Sequence, residues 1–293
     1  MNRWVSLPRN SPESIPYLVG DFSESHRALP VQRIEKSSAL NLTFEIIPET
    51  EIDFYPLWYR LWSLIRADFL ILSIGPVLTI TAYMLLVLKV GWSIDFIYAL
   101  IATIFLQIGM HGFNDYYGHL RGSDALSARD GKKLLQNGQL KAYQVRWFAG
   151  SFVALALLFA LPIFWSRPQD ALLLALPAGL LFAVFIAGYE RWRLPWVSES
   201  IGFLLLGPLL TLAWTRLFTH TWDLNSILIG FVFGTLFSLY SHLGNIADIM
   251  TDQNRGLKTS ASFYGFDRSK HLLALLAGWA VLSFAKVAFL FFN

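Results

Sequence analysis

The chain contains no cysteine, which excludes disulfides, thiolate metal sites and a cysteine nucleophile. Charge is scarce as well: 15% of the 293 residues are charged, against 55% hydrophobic. A soluble domain of this length needs more polar surface than that. The net charge of +3 is too small to point to nucleic acid as a partner. The opening residues, MNRWVSLPRNSPES, lack the apolar core of a signal peptide. No short-period repeat or low-complexity tract is present.

What is present in quantity is apolar sequence in long runs. Stretches near 67–89, 93–114, 145–165, 171–189, 199–217, 225–247 and 271–291 are each about 20 residues, the length a helix needs to cross a bilayer. The expected architecture is all-α, a polytopic transmembrane helix bundle of about seven spans. The 11 Trp and 11 Tyr suit interfacial belts. Pro76, Pro177 and Pro208 fall inside spans, where neighbouring helices can satisfy the freed carbonyls. Residues 1–65 are polar or mixed and hold six prolines. They read as a peripheral N-terminal segment with a short strand at Leu42–Ile47. Residues 66–293 form the transmembrane domain.

Lys and Arg fix an expected orientation. Of the 23, all but Lys89, Arg167, Arg216 and, inside the last span, Lys286 precede the first span or lie in the loops after the second, fourth and sixth. By the positive-inside rule that side is cytoplasmic, and the N-terminus lies there with it. The implied location is a cell (inner) membrane.

Two of those basic loops also carry acids and amides. GMHGFNDYYGHLRGSD, residues 109–124, places Asn114 and Asp115 at the end of a greasy segment and adds His119, Arg121 and Asp124. HLGNIADIMTDQNRGLKT, residues 242–259, places Asn245, Asp248 and Asp252 on one helix face. Clustered carboxylates repel unless a cation relieves them, and hard oxygen ligands of this kind suit Mg²⁺, which bridges readily to phosphates. Lys132, Lys133, Arg255 and Lys258 can take the remaining phosphate oxygens. The expected ligand is a diphosphate with a greasy tail. Either motif alone reads equally well as solvated helix-capping sequence; repetition on one side of the membrane favours a site. Glu199, opening the fifth span, reads either as a helix N-terminus device or as part of the pocket. Gln107 and His111 suit an interhelical hydrogen bond better than a head-group contact. Lys286 can snorkel outward, and Gly202 and Gly207 permit close helix packing.

With these motifs in order, the chain resembles the UbiA superfamily of intramembrane prenyltransferases, and within it the 1,4-dihydroxy-2-naphthoate branch of menaquinone synthesis. RADFLILSIGPVL resembles that branch's first helix, and LQIGMHGFNDYYGHLRGSD its first motif. KKLLQNGQLKAYQV is similar to the basic segment that follows, and SESIGFLLLGP to its fifth-helix signature, with Glu199 in the acidic place. GNIADIMTDQNRGLKTSASFYG resembles the second aspartate motif with its Gly-x-Lys/Arg-Thr tail.

The resemblance implies Mg²⁺ held by Asp115, Asp248 and Asp252, a polyprenyl diphosphate donor and a small aromatic acceptor. Asn114 joins the catalytic set. Lys132, Lys133, Asn245, Arg255, Lys258, Glu199, Tyr117, His119 and Asp124 form the substrate-binding set, and Tyr116, Tyr117 and Tyr240 are candidates to face an allylic cation. The chain departs from the pattern in three places. Gly118 stands where the first motif has a third carboxylate, which leaves either His119 to compensate or fewer protein oxygens on the metal. The spans number about seven rather than nine, so a homo-oligomer supplying part of the pocket wall is an open expectation. Trp196 and Ser198 replace small glycines before the acidic residue, which narrows the acceptor pocket. A non-catalytic protein of this fold that binds isoprenoid lipids is the alternative. A transporter fits less well, because the acids lie at helix ends.

Overall fold

The structure is a computed structural model that describes residues 3–8, 11–31, 41–120, 134–187, 195–255 and 258–292. The chain divides into two compact units, Met1–Ala67 with Ile108–Phe152, and Asp68–Gln107 with Val153–Asn293. The N-terminal segment thus shares a unit with the residues around the first aspartate motif.

The first unit opens with a three-stranded antiparallel sheet, β1 (Trp4–Pro8), β2 (His26–Val31) and β3 (Asn41–Pro48), in the order β1-β3-β2. The strand expected at Leu42–Ile47 is the central one. Its alternation places Leu42, Phe44 and Ile46 on the buried face. There they meet Leu18 and Tyr17 of a short helix, α1 (Ile15–Val19). The two outer strands pair with it at Leu7↔Leu42 and Pro30↔Phe44. Pro30 is tolerated because β2 is an edge strand.

Helix α2 (Leu57–Ile65) follows and ends at Arg66, whose backbone is left-handed at φ 51°. A tight turn at residues 134–140 completes this unit. Gly138 has φ +69°, and a β-carbon there would lie 2.7 Å from Leu29 Cδ2, so only glycine fits. The neighbouring Gln139 is buried with both ends of its amide satisfied: Oε1 accepts from Tyr55 N at 2.8 Å, and Nε2 donates to Asp53 O at 2.9 Å.

The remaining helices are α3 (Ala67–Leu86), α4 (Asp95–Leu120), α5 (Ala142–Ser166), α6 (Pro168–Ala187), α7 (Val197–Leu206), α8 (Pro208–Thr219), α9 (Leu224–Ala247), α10 (Ile249–Arg255), α11 (Ser260–Tyr264) and α12 (Phe266–Phe292). Among the described residues six segments are long and apolar enough to cross a membrane: those of α3, α4, α5, α7 with α8, α9 and α12; α6 is a shorter apolar helix over Pro168–Val184. The expected membrane helices are therefore present, with a small sheet added before them.

The fifth span is broken. Pro208 cannot donate a backbone hydrogen bond and opens α8 rather than continuing α7. At the break α7 and α8 press on a Gly-x-x-x-Gly pair of α9. A β-carbon on Gly207 would lie 2.5 Å from Gly230 O, and one on Gly230 2.5 Å from Pro208 Cα. One on Gly202 would overlap the Phe237 ring at 1.8 Å. Small residues thus let these backbones approach, the packing expected of Gly202 and Gly207. Gln107 Nε2 donates to Phe69 O at 2.8 Å, the interhelical bond read from sequence.

Candidate functional site

The second aspartate motif begins where α9 ends. Asp248, the residue between α9 and α10, has φ −100° and ψ 7°. Its N–H still donates to Gly244 O at 3.1 Å, and Asp252 N–H donates to Asp248 O at 2.8 Å. The helical register therefore passes through the junction, and Asn245, Asp248 and Asp252 share a face at i, i+3 and i+7. Asp252 is buried, and its Oδ2 accepts from Thr259 Oγ1 at 3.0 Å. The same Thr259 oxygen accepts from Ser262 N at 3.2 Å and caps α11. The threonine ending the Gly-x-Lys-Thr tail thus has two tasks, holding a carboxylate and starting a helix.

Asn245 is held by Glu199. The carboxylate lies buried in the first turn of α7 and accepts from Asn245 Nδ2 at 2.6 Å and from Ser260 Oγ. Ser260 Oγ contacts His242 Nδ1 at 2.8 Å, and the other ring nitrogen, Nε2, lies 3.1 Å from Ser269 O. A carbonyl only accepts, so Nε2 is the donor. Because Glu199 takes the N–H side of the planar Asn245 amide, Oδ1 lies on the opposite side and accepts no hydrogen bond among the described residues. Of Glu199's two readings, the structure thus shows a buried acceptor that orients an amide.

Beside this group is a cavity of about 350 Å³ lined by Trp196, Glu199, Phe203, Ser238, His242 and Leu276. Trp196 has φ 78°, stacks parallel to His242 with centroids 6.1 Å apart, and donates from Nε1 to Tyr264 Oη at 3.1 Å. A left-handed backbone favours glycine, which gives a reason for the small residue expected at this place.

In the first unit Asn114, Asp115, Tyr117 and His119 lie on the last turns of α4. Asp115 Oδ1 is 3.7 Å from Arg66 Nη1. His119 is buried; its Nε2 donates to Leu18 O at 2.8 Å and its Nδ1 faces Gln136 Nε2 at 3.4 Å. This histidine thus fastens α4 to α1. Tyr116 packs with Leu64, Leu134 and Val145, edge-on to Tyr117. In the second unit Tyr240 meets Phe69 edge-on, Lys258 is exposed, and Arg255 ends α10. Asp124, Lys132 and Lys133 lie outside the described residues.

Sequence reasoning missed Arg66, His242, Thr259 and Ser260. Arg66 carries a signal in hindsight, a lone cation between two apolar helices. His242 and Ser260 are ordinary polar residues whose partners lie in distant segments, whereas Thr259 ends the Gly-x-Lys-Thr tail only seven residues from Asp252.

Among the described residues no group of three or more His, Asp or Glu side chains is placed to hold a metal ion. Two carboxylates and an amide oxygen on one helix face fit Mg²⁺ better than Zn²⁺, since Mg²⁺ keeps waters and shares its shell with substrate phosphates.

The sequence profile of the UbiA prenyltransferase family matches residues 76–293. The chain belongs to the UbiA prenyltransferase family. It is similar to the 1,4-dihydroxy-2-naphthoate octaprenyltransferase of Haemophilus influenzae, at 27% identity over 198 residues, covering 64% of this chain and 63% of that one. It thus spans less than two thirds of that relative. The enzyme of the same description from Bacillus subtilis is also 27% identical, over 241 residues, 73% of this chain and 68% of that one. Among solved structures, a UbiA homolog from Archaeoglobus fulgidus bound to DMAPP and Mg²⁺ has the same fold, with a TM-score of 0.58 and 17% identity over 78% of this chain and 77% of that one. The same homolog bound to GPP and Mg²⁺ superposes equally well. This UbiA-family chain is an integral membrane protein.

Proposed function

We propose that this UbiA-family protein is a Mg²⁺-dependent prenyltransferase that moves a polyprenyl group from its diphosphate to an electron-rich aromatic acceptor of the 1,4-dihydroxy-2-naphthoate kind. The site faces the cytoplasm. The observation that carries the reading is the α9–α10 face, where Asn245, Asp248 and Asp252 are in register and two of them are already oriented by Glu199 and Thr259. The names of the curated relatives and the ligands of the structural neighbours support the substrate classes.

Asp248, Asp252 and, from the first motif, Asp115 would hold Mg²⁺, whose chemistry when bound is to neutralise the diphosphate leaving group, and Asn114 belongs to the catalytic set beside them. Arg255 and Lys258, with Lys132 and Lys133 of the basic segment, take the remaining phosphate oxygens. Asp124 and Tyr117 belong to the same binding set, while His119, bonded to Leu18 O, acts by fixing the end of α4. As the allylic C–O bond breaks, its electron pair leaves with the diphosphate, and these cations stabilise the developing charge. A ring carbon of the acceptor supplies the pair that forms the new C–C bond. In a naphthoate acceptor the carboxylate on that carbon then departs as carbon dioxide and returns its bonding electrons to the ring. The apolar bundle keeps water from the cation, and a lipid donor and product are at home there.

The test is mass analysis of lipid products from membranes given labelled prenyl diphosphates and a panel of aromatic acids. Asp248→Asn and Asp252→Asn each lower product by about 100-fold or more while the protein still folds. Undiminished turnover in both overturns the reading. Gly118 favours one competing reading, a non-catalytic isoprenoid binder. That reading predicts stabilisation by the diphosphate without any transfer. Gly118→Asp raises Mg²⁺ affinity if the site is one ligand short.

A further inference from the structure

Packing within the first unit accounts for only one face of α2. Leu64 enters the cluster of Tyr116, Leu134 and Val145, and Arg60 Nη1 donates to Gln139 O at 3.1 Å. The adjoining face carries Leu57, Trp58, Leu61 and Trp62, spaced i, i+1, i+4 and i+5. Leu57 and Trp62 are 60% exposed and Trp58 69%. Single exposed apolar side chains are ordinary, but a contiguous strip of two tryptophans and two leucines with no charge on it calls for a covering surface.

The chain itself says what that surface is. Arg66 alone separates α2 from α3, whose Phe69–Leu86 is long and apolar enough to cross a membrane. One residue reaches at most about 3.6 Å, so the end of α2 lies within a few ångströms of the start of a span. At nine residues, or about 14 Å, α2 is too short to cross a bilayer core of about 30 Å. The left-handed backbone at Arg66 ends it instead of letting it run on into α3. α3 and α4 cross and return, so α5 starts on the same side as α3. There, on its first two turns, Trp147 is 67% exposed and Tyr143 is also exposed. Aromatic residues thus mark two helix starts at one membrane surface, as an interfacial belt requires.

We infer that α2 lies flat in the head-group region of the leaflet from which α3 departs, with Leu57, Trp58, Leu61 and Trp62 in the acyl boundary, and so holds the N-terminal sheet against the membrane. The occupant of the exposed face is phospholipid. Neither water nor a second copy of the chain covers it.

The absence of native cysteine makes the test direct. Trp58→Cys, Trp62→Cys and, as a control just before β1, Arg3→Cys are each labelled with an environment-sensitive fluorophore in the full chain, reconstituted in phosphatidylcholine nanodiscs. All three side chains are exposed, so the variants fold. Nitroxide-bearing lipid quenches positions 58 and 62 about twofold or more over position 3, while aqueous iodide favours position 3. Iodide quenching at 58 and 62 equal to that at 3, without lipid quenching, overturns the inference in favour of water. Protection from both quenchers overturns it in favour of a protein partner, and dependence of that protection on chain-to-lipid ratio identifies a second copy.

Discussion

Glu199 stands at the start of a membrane-crossing segment with its carboxylate buried, yet its contacts are those of a hydrogen-bond hub. It accepts from Asn245 and Ser260, and through Ser260 it is joined to His242. A glutamine keeps an oxygen at the same place and can accept both bonds. Glu199→Gln therefore retains most of the Mg²⁺-dependent thermal stabilisation by geranyl diphosphate, whereas Glu199→Ala loses it. Alanine also leaves buried donors without an acceptor, at a cost of about 1–3 kcal/mol of stability. Loss of the Mg²⁺ response in the glutamine variant, with folding intact, would mean that the negative charge itself is required. Trp196 offers a second single-residue test. Its left-handed backbone and its wall of the cavity both favour glycine. Trp196→Gly widens the range of aromatic acids accepted; an unchanged acceptor profile separates this cavity from the acceptor site.

At the level of elements, the α7–α8 break is held by close approach. Gly202, Gly207, Gly230 and Gly234 each sit where a β-carbon would come within 3 Å of a neighbour. For Gly207, Gly230 and Gly234 that neighbour includes backbone, which cannot swing aside. Gly230→Ala should lower stability by about 1–3 kcal/mol, read as a fall in melting temperature in detergent. Gly278 on α12 has nothing within 4 Å, so Gly278→Ala is neutral or gains up to about 1 kcal/mol from helix propensity. Equal effects at the two positions would contradict the packing account. The other ends of these helices are fastened differently. Asp170 accepts from Arg216 Nε at 3.0 Å and pairs with His220 Nδ1 at 2.5 Å, tying α6 to α8, while Arg167 reaches Asp95 at the start of α4.

For the whole molecule, the pattern of Lys and Arg makes a prediction about sidedness. Gln253, after α9, and Trp222, after α8, are both exposed and separated by one crossing. In intact cells an impermeant maleimide should label Trp222→Cys and reach Gln253→Cys only after permeabilisation. The reverse pattern would invert the orientation and place the acid-rich helix ends outside the cytoplasm.

Much of this protein was legible in one dimension. Insertion into a bilayer depends on the summed transfer of consecutive side chains, so the spans follow from composition run by run. The aspartate face of α9 and α10 follows from helical spacing alone, and the close packing at Gly202 and Gly207 from the smallness of those residues. What only the tertiary structure decided are pairings between distant segments. Gln139 closes a turn on residues 53 and 55, and Glu199 gathers partners from α9 and α11. Strands β1 and β2, short and interrupted by proline, become strands only because β3 lies between them. The physical reason is range: hydrophobic transfer is local and additive, whereas a hydrogen bond exists only once packing has chosen which faces meet.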